Sequence, residues 1–163
     1  MLKNISIRLV NLLLLIAVVG LLALASYLQH VKGLEPCPLC MVQRLAFMGL
    51  AALFFIGIFL PTKPTVTKIH NGLIILIAGL GLAAAFRQLW LIHFSTAIAS
   101  CGADFYYMVQ HLPLGELFSQ IAYGHGDCTR DAWKILGIGL PAWSAVGLFF
   151  FVGVGVWQMF RKI

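Results

Sequence analysis

Two cysteines, Cys37 and Cys40, stand at C-x-x-C spacing in the stretch EPCPLCMVQR, which runs from Glu35 to Arg44. Thiols at this spacing close a small disulfide ring, and each can resolve a mixed disulfide formed on the other. Zinc sites use the same spacing, but they usually want a second closely spaced ligand pair. The other two cysteines, Cys101 and Cys128, are separated by 26 residues, and the nearest histidine, His125, makes no knuckle pattern with either. We therefore read no metal site here. Thiol–disulfide chemistry is the sharper reading, and two purely structural disulfides are the plain alternative that spacing leaves open.

Arg44 adds information because it follows Cys40 by four residues. If a helix begins near Cys40, the two share a face one turn apart. An arginine at the edge of the hydrocarbon often only snorkels to the interface. Beside a cysteine it has two further uses. A nearby cation raises the thiolate fraction, and a guanidinium can hydrogen-bond a carbonyl oxygen of a ligand that enters from the lipid. Arg87 and His93 are weaker candidates. Arg87 lies 16 residues past Asn71, about 24 Å along a helix, where snorkelling or pairing is the ordinary role. His93 could shuttle protons but reads more simply as a polar interfacial residue, and His30 and His70 read as boundary residues.

These side chains need a membrane scaffold. Of 163 residues, 61% are hydrophobic and 10% charged, with a mean hydropathy of +0.98. A soluble domain carries about a quarter of its residues charged, so an ordinary soluble globule is excluded. Apolar runs at about 9–28, 41–60, 71–92 and 141–160 each supply the roughly 20 residues that span a bilayer. The sequence thus predicts an all-α membrane protein, an antiparallel four-transmembrane-helix bundle forming a single domain over 1–163. Glycines 57, 72, 79, 81, 147, 153 and 155 suit close helix packing in lipid. The first run has a basic start (Lys3, Arg8) and a small-x-small step at Ala23-Leu24-Ala25, as a signal peptide would. It is longer than a typical signal core, so we expect it to remain as the first span.

Charge sets the expected orientation. Lys3 and Arg8, Lys63 and Lys68 between the second and third spans, and Arg161 and Lys162 fall on one side, which the positive-inside rule makes cytoplasmic. All five acids and all four cysteines fall on the other, in loops at about 29–40 and 93–140. The net charge of +6 then reads as a topology signal, and with no clustered basic face no nucleic-acid partner is expected. Disulfides persist outside the cytosol, so four outer cysteines point to redox or structural use. The second outer loop is far longer than a bundle needs. Leu114, Leu117, Phe118 and Ile121 recur at helical spacing within it after Pro113, which predicts a short interfacial helix over 113–122.

A dithiol at the membrane mouth and a second pair on an outer loop make a relay conceivable. The loop pair would oxidise a soluble dithiol and pass its electrons to Cys37 and Cys40. With no flavin or dinucleotide fingerprint present, a lipid-soluble quinone fits the position of terminal acceptor.

The combination PCPLC followed by Arg44, four spans, and Cys101 with Cys128 in the context GDC resembles the bacterial disulfide bond formation protein B (DsbB) family. The run from Trp133 through Leu136-Gly137 to Leu140-Pro-Ala-Trp143 fits that family's entry into its last helix. DsbA, DsbB and quinone together are known to keep the bacterial periplasm oxidising. The resemblance implies a quinone-dependent thiol–disulfide oxidoreductase of the bacterial inner membrane, with both termini cytoplasmic and the cysteines periplasmic. By position, Cys101 would form the mixed disulfide with a periplasmic DsbA-like thioredoxin-fold oxidase, Cys128 would exchange with Cys37, and Cys40 would act on the quinone as a thiolate. Arg44, Cys40 and His93 would line the site for ubiquinone or menaquinone, and electrons would leave to the membrane quinone pool. Alternatives are a related oxidoreductase with a dedicated partner or opposite electron flow, and a non-enzymatic scaffold stapled by two disulfides.

Overall fold

The computed structural model describes residues 6–32, 38–61, 63–94, 110–113, 115–116, 134–135 and 138–160. Four long helices dominate: α1 (Ile7–Lys32), α2 (Pro38–Phe59), α3 (Pro64–Phe94) and α4 (Leu140–Phe160). All four are long and apolar enough to cross a membrane, as the composition predicts.

The helix starts follow from local chemistry. Ser6, a favoured cap residue type, immediately precedes α1, and its carbonyl accepts from the Val10 amide at 3.2 Å. α2 and α3 each open on a proline, whose fixed φ and missing N–H suit the first helical position. Ahead of Pro64, the Lys63 carbonyl accepts from both the amide and the hydroxyl of Thr67.

Two boundaries differ from the hydropathy reading. α3 begins at Pro64 rather than near Asn71, so Lys68 lies on an exposed face inside the helix and not in the preceding turn. Polar Thr65, Thr67 and Lys68 hide this first stretch from hydropathy, although Pro64 marks it. α2 likewise begins at Pro38, which places Cys40 within its first turn. Ahead of α4, a two-residue antiparallel ladder pairs β1 (Lys134–Ile135) with β2 (Ile138–Gly139), an element not expected from the sequence. Of the expected interfacial helix, residues 115 and 116 are helical, and Leu114 and residues 117–122 lie outside the described part of the chain.

The helices pack in chain order, α1 on α2, α2 on α3 and α3 on α4, as short up-down connections require. Buried positions recur at steps of three and four, strictly alternating on α3. The seams run through Leu39, Gln43, Ala46, Leu50, Phe54 and Gly57 on α2, Asn71, Ile74, Ala78, Gly81, Ala85 and Gln88 on α3, and Pro141, Ala145, Leu148, Phe151, Gly155 and Gln158 on α4, with Phe47 and His70 buried beside them. That step is the seam of left-handed helix packing. The opposite faces carry exposed Leu, Ile, Val and Phe, which lipid rather than water covers.

Small residues set how closely the seams approach. A Cβ at Gly81 would stand 2.7 Å from the Ala46 Cβ, and one at Gly155 would stand 2.9 Å from Ile75. Gly72, Gly79 and Gly153 instead face open space, so the expectation that all these glycines serve packing holds only for those on a seam.

Polar side chains enter the interior in two layers. Asn11, His70, Asn71 and Gln158 lie toward one end, and Gln43 and Gln88 toward the other. The layers are 17 residues apart on α3, or about 25 Å at the helical rise. Between them the fully buried side chains are apolar. Phe54 and Phe151 meet with ring centroids 5.6 Å apart, and Phe47 meets Phe151 edge-on at 6.3 Å.

Candidate functional site

The site is built where the first turn of α2 meets the last turns of α3 and the first turn of α4. Cys40 is half-buried there. Gln88 donates from Nε2 to the Cys40 sulfur at 3.2 Å. Gln43, one helical turn past Cys40, donates from Nε2 to the Gln88 Oε1 at 2.7 Å. The Gln43 Oε1 in turn accepts from the Ser144 hydroxyl on α4, and that hydroxyl also lies 2.9 Å from the Pro141 carbonyl. Three helices therefore converge on one sulfur through an unbroken line of side chains.

The line exists because the seam positions demand it. Gln43 and Gln88 are 4% and 1% exposed, and at that depth each amide must find partners within the protein. The two amides satisfy one another, while the hydroxyl and the sulfur satisfy the ends.

Arg44 points elsewhere. Its guanidinium donates from Nη1 to the Gln29 Oε1 and from Nη2 to the Ser26 hydroxyl at 3.0 Å, so it ties α2 to α1. It stays half-buried. Two of the five N–H donors of the fork are engaged in these bonds, which fix the plane of the guanidinium beside the mouth of α2. A flat donor held at the lipid edge, one turn from a cysteine, has the chemistry to receive a carbonyl oxygen. The donor set thus fits a quinone.

His93 is exposed, and its Nδ1 pairs with the Leu89 carbonyl of its own helix at 3.2 Å. Arg87 is also exposed, on a different face of α3 from Gln88. His70, expected at a boundary, is buried, and its Nε2 donates to the Leu53 carbonyl at 2.9 Å. Cys37, Cys101 and Cys128 lie outside the described residues. No group of three His, Cys, Asp or Glu suited to a metal occurs among the described residues.

Sequence reasoning missed Gln43, Gln88 and Ser144 as neighbours of the cysteine. The signal was present: two amides on a three-and-four seam, where apolar residues are the rule.

Comparisons with known proteins bear on the whole chain. The family model described as disulfide bond formation protein DsbB matches residues 7–158. Relatives named disulfide bond formation protein B include one from Marinobacter nauticus, 38% identical over 144 residues, covering 88% of this chain and 86% of the relative. One from Polaromonas sp. strain JS666 is 43% identical over 129 residues, with coverage of 79% and 76%. A third, from Xanthomonas axonopodis pv. citri, is 37% identical over 147 residues, with coverage of 89% and 84%. No solved structure matches the chain significantly.

Proposed function

Because the chain belongs to the disulfide bond formation protein DsbB family, we propose that it reoxidises a periplasmic DsbA-like dithiol protein and passes the electrons to a membrane quinone. The observation that carries this reading is Cys40. It sits at the mouth of a membrane helix, with an amide N–H on its sulfur and Arg44 one turn beyond.

The route runs through two cysteine pairs. A thiolate of the reduced partner attacks the Cys101–Cys128 disulfide, forming a mixed disulfide at Cys101. The partner's second thiol resolves it, leaving the partner oxidised and the loop pair reduced. Cys128 then attacks Cys37 of the Cys37–Cys40 disulfide, and Cys101 closes the loop pair again. Cys37 and Cys40 are now the reduced pair, holding two electrons and two protons. A quinone held beside Cys40 and Arg44 would supply a two-electron, two-proton acceptor for that pair. Arg44 would hold the acceptor's carbonyl oxygen, and Gln88 would steady the sulfur that reacts. His93, exposed beyond the last turn of this site, would contribute at the rim. The protein would lie in the bacterial inner membrane with its termini cytoplasmic and its cysteines periplasmic, in keeping with its charge pattern.

Mixing the purified protein with a reduced DsbA-like dithiol and ubiquinone tests this directly. Quinone absorbance should fall in step with oxidation of the dithiol, and a parallel run with menaquinone reads the preference between the two. An unchanged quinone signal, with all four cysteines stably oxidised, would instead identify a stapled scaffold.

A further inference from the structure

We propose that Ser144, Gln43 and Gln88 form a polarised hydrogen-bond chain that presents an N–H donor to the Cys40 sulfur and so raises its reactivity as an anion. Gln88 touches the reacting atom, and Gln43 and Ser144 are positioning residues. The catalytic meaning of this chain rests on the function proposed above; its effect on the sulfur itself does not.

The argument turns on direction. An amide has a donor end and an acceptor end, so a line of two amides transmits orientation. Ser144 has one proton, and with that proton on the Gln43 Oε1, Gln43 must turn its Nε2 toward Gln88. Gln88 then offers its oxygen to Gln43 and has its Nε2 on the sulfur, 3.2 Å away. A sulfur carrying negative charge accepts that bond strongly.

The opposite polarity is also complete. A protonated sulfur would donate to the Gln88 Oε1, both amides would turn over, and the Ser144 proton would pass to the Pro141 carbonyl, which lies 2.9 Å away. Ser144 is thus the residue that lets the chain serve the sulfur in either form without orphaning a buried amide. Because S–H is a weak donor, the two polarities are unequal, and the chain gains most when the sulfur is charged. Among the described residues, Arg44 on α2, Arg87 and His93 on α3 and His30 on α1 are the charged or titratable groups at this end of the bundle, and Arg44, His93 and His30 bond outside the line of amides. Changing an amide therefore leaves them in place.

The test needs no quinone. Reduced, quinone-free, full-length protein is alkylated at neutral and at strongly alkaline pH, and the modified Cys40 peptide is followed by mass spectrometry. Gln88→Met keeps the length of the side chain and removes the N–H. It should slow Cys40 alkylation at neutral pH by about threefold, the effect of one hydrogen bond reduced by the higher intrinsic nucleophilicity of a less stabilised thiolate. The alkaline rate, where the thiol is ionised in both proteins, should not fall. Gln43→Met should show the same pattern more weakly, and it provides the test if Gln88→Met does not fold. Equal rates in variant and parent at neutral pH overturn the proposal, as does an equal fall at both pH values, which would signify access alone. Ubiquinone turnover, assayed separately, distinguishes the two claims. Altered alkylation without quinone turnover in the parent protein sinks the functional reading and leaves the chain standing. Turnover with unaltered alkylation does the reverse.

Discussion

The two polar layers of the bundle use similar residues to different ends. At the cysteine end, Gln43, Gln88 and Ser144 are joined to one another and to a sulfur. At the opposite end, His70 bonds the Leu53 carbonyl, but the Asn11 Oδ1 and both amide ends of Asn71 and Gln158 have no protein partner among the described residues. Buried amides without partners are costly in a membrane interior, and even well-made interhelical hydrogen bonds there average only about 0.6 kcal/mol. Stability alone therefore accounts for neither layer. The contrast teaches that connection to a reactive atom, rather than burial of polar groups, separates a site from a packing device. The far layer draws on all four helices and fixes how they meet, since Gly57 of α2 sits where a Cβ would be 2.5 Å from Asn11 of α1 and 2.8 Å from His70 of α3.

The largest test of the contrast removes the reactive atom. Cys40→Ala should abolish quinone-linked oxidation of the dithiol partner, by absorbance assay, while Asn71→Leu at the far layer should leave turnover within about twofold of the parent, an effect under 1 kcal/mol. Loss of turnover in both would erase the distinction. Arg44→Met should come next, raising the KM for quinone by about tenfold, as loss of one charge-assisted hydrogen bond would. Unaltered kinetics would reduce Arg44 to its link with α1.

Gly57→Ala probes the far layer directly. Overpacking there should cost about 1–3 kcal/mol, visible as a lower melting temperature in detergent, with turnover of the folded fraction preserved. Asn71→Leu should be close to neutral in the same melt, or stabilising by about 1 kcal/mol, because it removes orphaned polar atoms at similar volume. A large loss would mean that the far layer is as tightly connected as the near one. The smallest change is expected for His93→Ala, whose exposed ring bonds its own helix; a clear fall in turnover would move it from the rim into the site.

Much of this arrangement was legible in the sequence, and what was hidden has physical reasons. Four spans follow from run length, and the C-x-x-C with Arg44 follows from local spacing, because both signals lie within a few residues. The first turns of α3 were hidden because Thr65, Thr67 and Lys68 lower the local hydropathy while leaving the helix intact. The partnership of Cys40 with Gln88 was hidden for a deeper reason. Those residues are 48 positions apart, and in a membrane helix the outer face is as apolar as the inner one, so hydrophobic periodicity does not announce which face is buried. An isolated glutamine in such a helix is the better guide, since it has few places to go but inward. The same logic would have lifted His70 and Asn71 out of the boundary and into the core.

The apolar block between the layers has a consequence for energy conversion. Leu50, Phe54, Ile74, Ala78, Leu148 and Phe151 are at most 2% exposed and offer no hydroxyl, amide or carboxyl along which a proton could hop. Thiol chemistry at the Cys40 end of the bundle is thereby separated from the far polar layer by an apolar block. Under the proposed function, a cell that stores energy as an ion gradient across this membrane would meet no proton-carrying side chain among these six.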